Sequence, residues 1–332
     1  MYFNHYLGID ISKATLDAAL IIKEDEVVGQ TKVANNLHGF NDLASWIRKL
    51  KVKLSDVLVC AEHTGIYGYD LQIWLDDMQV SFAFVPALEI KRSLGIRRGK
   101  NDAVDALRIA EYAYIRRESI SLSNKPSDVI FQLRALLGER KQYVRMRAAL
   151  LARKDALHQY ESKESIDRRE EIIDKYAEYI ASVDKQMRGL MEHDDEIKRN
   201  YELISSVKGI GLVNAINTLV YTNNFTSFQT PRQYACYCGI APFEHTSGTS
   251  IKGRTAVSKM GNHQLKCELT MAARSAIIHD PWMKQYYKRK MMSKGNAPGA
   301  HGIVLNAIKF KLIVRMFSVV KSGIPYKVMA YC

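Results

Sequence analysis

A chain of 332 residues exceeds any single small binding module and suits two to three domains at the usual size of about 100 to 200 residues each. With 47% hydrophobic and 25% charged residues it has globular composition, which excludes wholesale disorder and a fibrous repeat. The formal charge is +13, and its placement matters more than its size: residues 201–332 hold 17 Lys and Arg against 4 Asp and Glu, while residues 1–200 balance at 31 against 31. Basic charge concentrated in one region is the electrostatic footprint of phosphate binding, because each neutralised phosphate releases counterions.

No apolar run approaches the roughly 18 residues of a membrane span, and MYFNHYLGIDISK lacks the basic and apolar segments of a signal peptide. A cytoplasmic protein with no membrane contact is expected. The five cysteines, Cys60, Cys236, Cys238, Cys267 and Cys332, are odd in number and include a CxC but no CxxC, which argues against a zinc site or a disulfide framework.

Along the chain, YLGIDI, LDAALII and VVGQTKVA read as three strands of an antiparallel meander. Phe40, Leu43, Trp46, Ile47 and Leu50 have helical spacing, and VLVCAEH is an apolar strand ending in a carboxylate. GIYGYDLQIWLDDM reads as a helix, VSFAFVP as a buried strand, and Ala103 to Ile115 as a closing helix. The order β-β-β-α-β-α-β-α is that of a ribonuclease-H-like α/β domain over residues 1–125, ending in the polar stretch closed by Pro126.

Residues 126–200 are helix formers rich in charge. Ile173, Tyr176, Ile180, Val183, Met187 and Leu190 form a narrow apolar seam, and Leu136, Tyr143, Leu150 and Leu157 recur at sevens beside Leu137, Val144 and Leu151. A coiled-coil hairpin, a pairing with a second protomer and an ordinary bundle core all accommodate this pattern. Residues 201–332 form the basic, mainly helical part. The turn SVKGIG, with Gly209 and Gly211, resembles a helix-hairpin-helix element that offers backbone N–H groups to a phosphate, a plain helical turn being the alternative. YACYCGIAPFEHTSGTSIKGR reads as loop-rich and crowded with hydroxyls, and GNAPGAHG as a flexible segment that touches backbone.

Chemistry concentrates in four carboxylates. Asp10 sits mid-strand among apolar residues, where an ionised group is costly unless paired or coordinated, and alternation sets it opposite Ile9 and Ile11. Glu62 ends a strand that delivers its side chain to the carboxyl edge of the sheet. Asp102 and Asp105 are three apart at a helix start and share a face, although Asp102 as a cap and Asp105 paired with Arg108 are the plain structural readings. Together the four suit two Mg2+ ions, with Mn2+ as an alternative, clamping the attacking and leaving oxygens of a phosphoryl transfer. GIDIS before a second strand also opens sugar-kinase and actin-like ATPases, but their later Gly-rich phosphate turns have no counterpart here.

LGIDIS, VCAEHTGIY, KNDAVDALRIAEYA, SVKGIG, RQYACYCGIAPFEHTSGTSIKGR and SKMGN, in this order, resemble the insertion-sequence-110 family of transposases, which is related to the Piv DNA invertases. The resemblance covers nearly the whole chain and is weakest in the middle helices. It implies a RuvC-like DEDD domain (residues 1–125), a coiled-coil linker (126–200) and a transposase domain (201–332) in a bacterial or archaeal, nucleoid-associated protein. Asp10, Glu62, Asp102 and Asp105 would be the metal ligands and Ser247 the nucleophile forming a phosphoserine link to DNA, with Thr246, Thr249 and Ser250 close by. The implied partners are target and donor DNA, a structured bridge or seeker RNA that pairs with both, and further copies of the chain as a dimer or tetramer. Lys252, Arg254 and Lys259 would meet phosphates near Ser247. Lys284, Lys288, Arg289, Lys290 and Lys294, interleaved with Tyr286 and Tyr287, would contact nucleic acid, the alternative being a solvated helix face. A junction resolvase cutting with metal-activated water, and a non-enzymatic RNA scaffold, are the competing functions.

Overall fold

The computed structural model describes residues 3–24, 26–62, 65–93, 102–157, 160–247, 251–257, 261–295 and 297–328; for 65, 66, 88, 92, 154–157, 243–247 and 251–256 it describes the backbone alone. The chain divides into two compact units, Met1–Lys125 and Pro126–Cys332.

The first unit is a five-stranded mixed sheet. Strands β1 (His5–Ile11), β2 (Thr15–Lys23) and β3 (Glu26–Ala34) form the antiparallel meander, while β4 (Val57–Glu62) and β5 (Phe82–Val85) lie parallel to β1 on its other side, giving the order β3-β2-β1-β4-β5. This is the α/β arrangement expected of a RuvC-like domain. One face carries Leu7, Ile9, Leu16 and Leu20 into a core with α1 (Leu37–Lys49) and α2 (Tyr69–Asp77). Asn36 starts α1 by accepting the Gly39 N–H at 3.0 Å, which satisfies a backbone donor that a helix start leaves open. Two details differ from the sequence reading. A single 3-10 turn, Gly65–Gly68, precedes α2, and a short helix α3 (Ala87–Ser93) follows Pro86, too short to declare a periodicity.

The other face packs α4 (Asp102–Arg116) against the sheet. Its buried stripe is made of small residues, Ala106, Ala110 and Ala113, with Ile109 and Tyr112 beside them. The stripe meets Gly8 of β1: a Cβ on Gly8 would lie 2.1 Å from Ala106 O and 2.2 Å from Ala110 N. Only glycine permits so close a backbone approach. Gly8 and Asp10 share a face by strand alternation, so the contact that seats α4 also brings its first turn toward Asp10.

In the second unit α5 (Asp128–Leu157) and α6 (Lys163–Met191) fold back on one another as a hairpin, with Tyr143 among Tyr176 and Tyr179 and Arg140 Nε 2.6 Å from Asp184 Oδ1. The hairpin shares its core with the helices after residue 200. Leu133, Met187, Ile216, Tyr234, Ala272 and Leu312 belong to one apolar cluster. The seam read along α5 is buried at Leu136 and Leu137, but Val144 and Leu151 are exposed, because the helix runs on beyond the core that covers its first turns.

Helices α7 (Asp195–Ser205) and α8 (Leu212–Tyr221) flank the glycine turn. Then come α9 (Pro231–Tyr237), strands β6 (Pro242–Ser247) and β7 (Ile251–Val257), and helices α10 (His263–His279), α11 (Pro281–Lys294) and α12 (Ala300–Ser322). The described part of the stretch read as loop-rich is therefore a capped helix and two paired antiparallel strands. Its hydroxyls suggested turns, but the pairing of Phe243, His245 and Thr246 with the β7 backbone overrides that local preference. Within GNAPGAHG, Gly299 takes a left-handed φ of 81° and starts α12 at Ala300, so the segment contains a helix start.

Candidate active site

Three strands and one helix bring carboxylates together in the first unit. Across the sheet Asp10 pairs in register with Asp17, and Asp17 with Lys32. Like charges directly opposite on neighbouring strands repel. Lys32 Nζ relieves half of that conflict, lying 2.8 Å from Asp17 Oδ2 and 3.9 Å from Asp102 Oδ2. The hydrogen bond to Asp17 in turn raises the pKa of Lys32. Asp105 is held by Arg108 at 3.0 Å, the structural pairing foreseen from their spacing. Glu62 closes β4, whose residue Ala61 lies beside Ile9 of β1, so one further step of the same parallel register sets it beside Asp10.

Asp10 is the exception. No hydrogen bond or ion pair reaches it among the described residues. Its carboxyl is pushed up to about 6, first by burial and then by the negative fields of Asp102, Asp105, Glu62 and Asp17. The four carboxylates singled out in the sequence are therefore electrostatic neighbours, joined by a fifth, Asp17. They do not form a closed grip in these side-chain positions: among the described residues no three His, Cys, Asp or Glu side chains stand close enough to hold a metal. The chemistry of the donor set still fits a hard divalent cation, because all donors are carboxylate oxygens and, among the described residues, no cation is paired with Asp10, Lys32 acting on it only through its field. His63 and Thr64, beside Glu62, lie outside the described residues.

Strand alternation around Asp10 applies equally to Asp17, flanked by Leu16 and Ala18, and would have found it; Lys32 needed the register. In the second unit Ser247 is the last residue of β6, opposite Ile251, and Lys252 and Arg254 lie on β7, with Lys252 opposite Thr246. Thr249, Ser250 and Lys259 lie outside the described residues. Gly209, at a φ of 97°, is wedged against α10, where a Cβ would come within 2.6 Å of Ala272 O; Gly211 borders open space at the start of α8. Lys284, Lys288, Arg289, Lys290 and Lys294 are all exposed on α11.

Sequence reading named Tyr286 on that helix but missed Trp282 and the cations of α12 that pack on both rings. Trp282 and Tyr286 stack at 5.5 Å, and Lys311 Nζ of α12 stands 4.7 Å from the Tyr286 ring centre. Arg315 covers Trp282 and Tyr326 and is fixed by fully buried Asp280, which also caps α11. The Asp-Pro-Trp sequence at 280–282 is the available signal, since Asp before Pro marks a capped helix start.

A mixed sheet gathering carboxylates near the end of its first strand, in a chain whose second unit is strongly basic, defines a ribonuclease-H-like protein of nucleic-acid phosphoryl transfer. Residues 7–160 match the DEDD transposase profile of IS110 and residues 201–288 that of the transposase IS116/IS110/IS902 family. The chain belongs to the IS110 family of transposases, related to the Piv invertases, which makes it a DNA transposase or recombinase. It is 29% identical over 324 residues, 97% of each chain, to the pilin gene-inverting protein of Moraxella bovis, and equally so to that of Moraxella lacunata. The uncharacterized 43.6 kDa protein of insertion element IS110 in Streptomyces coelicolor is 29% identical over 159 residues, covering 47% of this chain and 38% of that relative. DEDD transposases generally depend on a divalent metal. Among the described residues no helix is long and apolar enough to cross a membrane.

Proposed function

We propose that this chain is an RNA-guided DNA recombinase in which Asp10, Glu62, Asp102 and Asp105 hold Mg2+ and Ser247 is the nucleophile. The observation that carries the metal half is the field of four carboxylates, three of them the other proposed ligands, on an unpaired Asp10. Bound magnesium would supply charge neutralisation at the scissile phosphate and ease loss of a hydroxyl proton. Ser247 Oγ displaces a deoxyribose hydroxyl at phosphorus: the serine P–O bond forms, the bridging P–O bond breaks, and the serine proton ends on the departing sugar oxygen. A second sugar hydroxyl reverses the step and rejoins a strand, so the number of phosphoester bonds is conserved and no ATP is needed. Lys252, Arg254 and Lys259 would flank the cleaved phosphate, and the N–H groups at Gly211 would face another. The target and donor DNA are paired by a guide RNA, and the acids of one protomer serve the serine of another, which delays cutting until the assembly is complete.

The test is a mixing experiment. Asp10→Asn and Ser247→Ala should each be inactive alone, and mixed oligomers should recover part of the cleavage with DNA linked only to the Ser247-bearing chain. No recovery despite verified mixed assembly refutes sharing between chains. An adduct formed by Ser247→Ala removes this serine, and metal-dependent cleavage without any adduct favours a resolvase using water. Sequencing the RNA that copurifies tests the guide; absence of RNA transcribed from the element's own flank counts against it.

A further inference from the structure

Lys309 occupies the middle of α12 and is 6% exposed. Lysine is almost never so buried unless paired. Among the described residues no hydrogen bond or ion pair reaches it. Its charged neighbours make matters worse, since Lys266 and Arg274 of α10 act on it with the same sign, and burial and those two cations all lower its pKa; only the Cys267 thiol opposes them. Lys266 and Arg274 are eight residues apart, two turns along one stripe of α10, the helix that packs against α12.

The carboxylates of this region do not answer the charge. Asp280 is committed to Arg315, Tyr326 and the start of α11. Glu268 feels Arg140 and Lys141, and Glu202 acts on Lys198. The Glu244 side chain lies outside the described residues. Exposed lysines on α11 are solvated and need no partner. The stem of Lys309 is buried while its ammonium end keeps contact with solvent, and a cation held there beside two others of the same sign is ready to pair with an anion that approaches.

We propose that Lys309, with Lys266 and Arg274, forms an anion site between α10 and α12 that takes a phosphate of a nucleic-acid backbone. The backbone assignment rests on the reading that the basic unit lies against nucleic acid; the anion site itself rests only on the burial of the Lys309 stem and its grouping with the two other cations. A phosphate accepts hydrogen bonds on several oxygens at once, which suits donors arriving from two helices.

Lys309→Met keeps the length and apolar stem of the side chain and removes its charge. In the full-length variant the slope of log affinity for duplex DNA against log salt should become shallower by about one unit, the contribution of one phosphate contact. Lys309→Arg should keep the slope, and Lys266→Met should reduce it in the same way without touching a buried position. A second arm uses inorganic phosphate against chloride at matched ionic strength: phosphate should raise the melting temperature of the wild-type protein and not that of Lys309→Met. An unchanged slope in folded Lys309→Met overturns the backbone assignment. A phosphate-induced rise that persists in Lys309→Met overturns the site. Should wild-type protein fail to bind any nucleic acid, the wider reading and the backbone assignment fall together, while the phosphate arm still decides whether the anion site exists.

Discussion

The two units handle charge in opposite ways. The first belongs to a stretch of 200 residues with zero net charge, yet it concentrates carboxylates around one strand position; the second is basic throughout 201–332 and concentrates cations between α10 and α12. In each, one partly or largely buried ionisable group stands mostly among others of its own sign. Asp10 is driven up by burial and acidic neighbours, and Lys309 is driven down by burial and basic ones. Sign apart, the arrangements match, which teaches that net charge is a poor guide to where an ion is missing: a neutral unit asks for a cation and a basic one for an anion. The two respond differently to sequence, however. Asp10 sits on a strand whose pairing sets Asp17 and Glu62 beside it, leaving only Asp102 and Asp105 to the packing of α4, whereas Lys309 depends wholly on how two helices pack.

The sharpest way to break the comparison is Asp10→Asn. Loss of a ligand and its charge should remove about 4 kcal/mol of transition-state stabilisation, about a thousandfold in rate, from magnesium-dependent strand cleavage. Because it relieves repulsion, the same change should leave the melting temperature unchanged or higher; a loss of stability would mean that Asp10 is structural. For the basic unit, contact with about 6 to 10 phosphates should cost a thousandfold or more in nucleic-acid affinity between 50 and 200 mM salt. A nearly flat titration would remove the basic unit from binding altogether. Gly8→Val should then show that the acids are gathered by packing, lowering stability by about 3 kcal/mol in denaturant unfolding as α4 is pushed from β1. A variant of wild-type stability would contradict the backbone contact. The smallest effect belongs to Lys32→Met. It should lower stability only slightly by leaving Asp17 unpaired, and Mg2+ should raise the melting temperature of this variant more than that of the wild type. An equal rise in both proteins would separate Lys32 from the carboxylate cluster.

The order of strands and helices in residues 1–125 is legible because the sheet alternates cleanly and its turns are short, as in LGIDIS followed by LDAALII. The same alternation sets Asp10 on the α4 face. What the sequence hides is whatever depends on register or on packing between distant elements. Lys32 reaches Asp17 only once β2 and β3 are aligned, and α4 reaches Asp10 only because Gly8 faces Ala106 and Ala110. The β6–β7 pair is masked by its hydroxyls, which carry turn preferences into strands. Lys309 looks like any lysine of a helical run until α10 is packed beside it.

Gly8 also has a genetic consequence. The atoms that a side chain there would strike are main-chain atoms of Ala106 and Ala110, present whatever residues occupy those positions. Trimming a neighbour therefore makes no room, as it would for an overpacked side chain. Selection for intragenic suppressors of Gly8→Val should return true revertants and changes to glycine at the same codon, while a comparable screen on a large core residue such as Leu71, buried among side chains, should return compensating substitutions elsewhere.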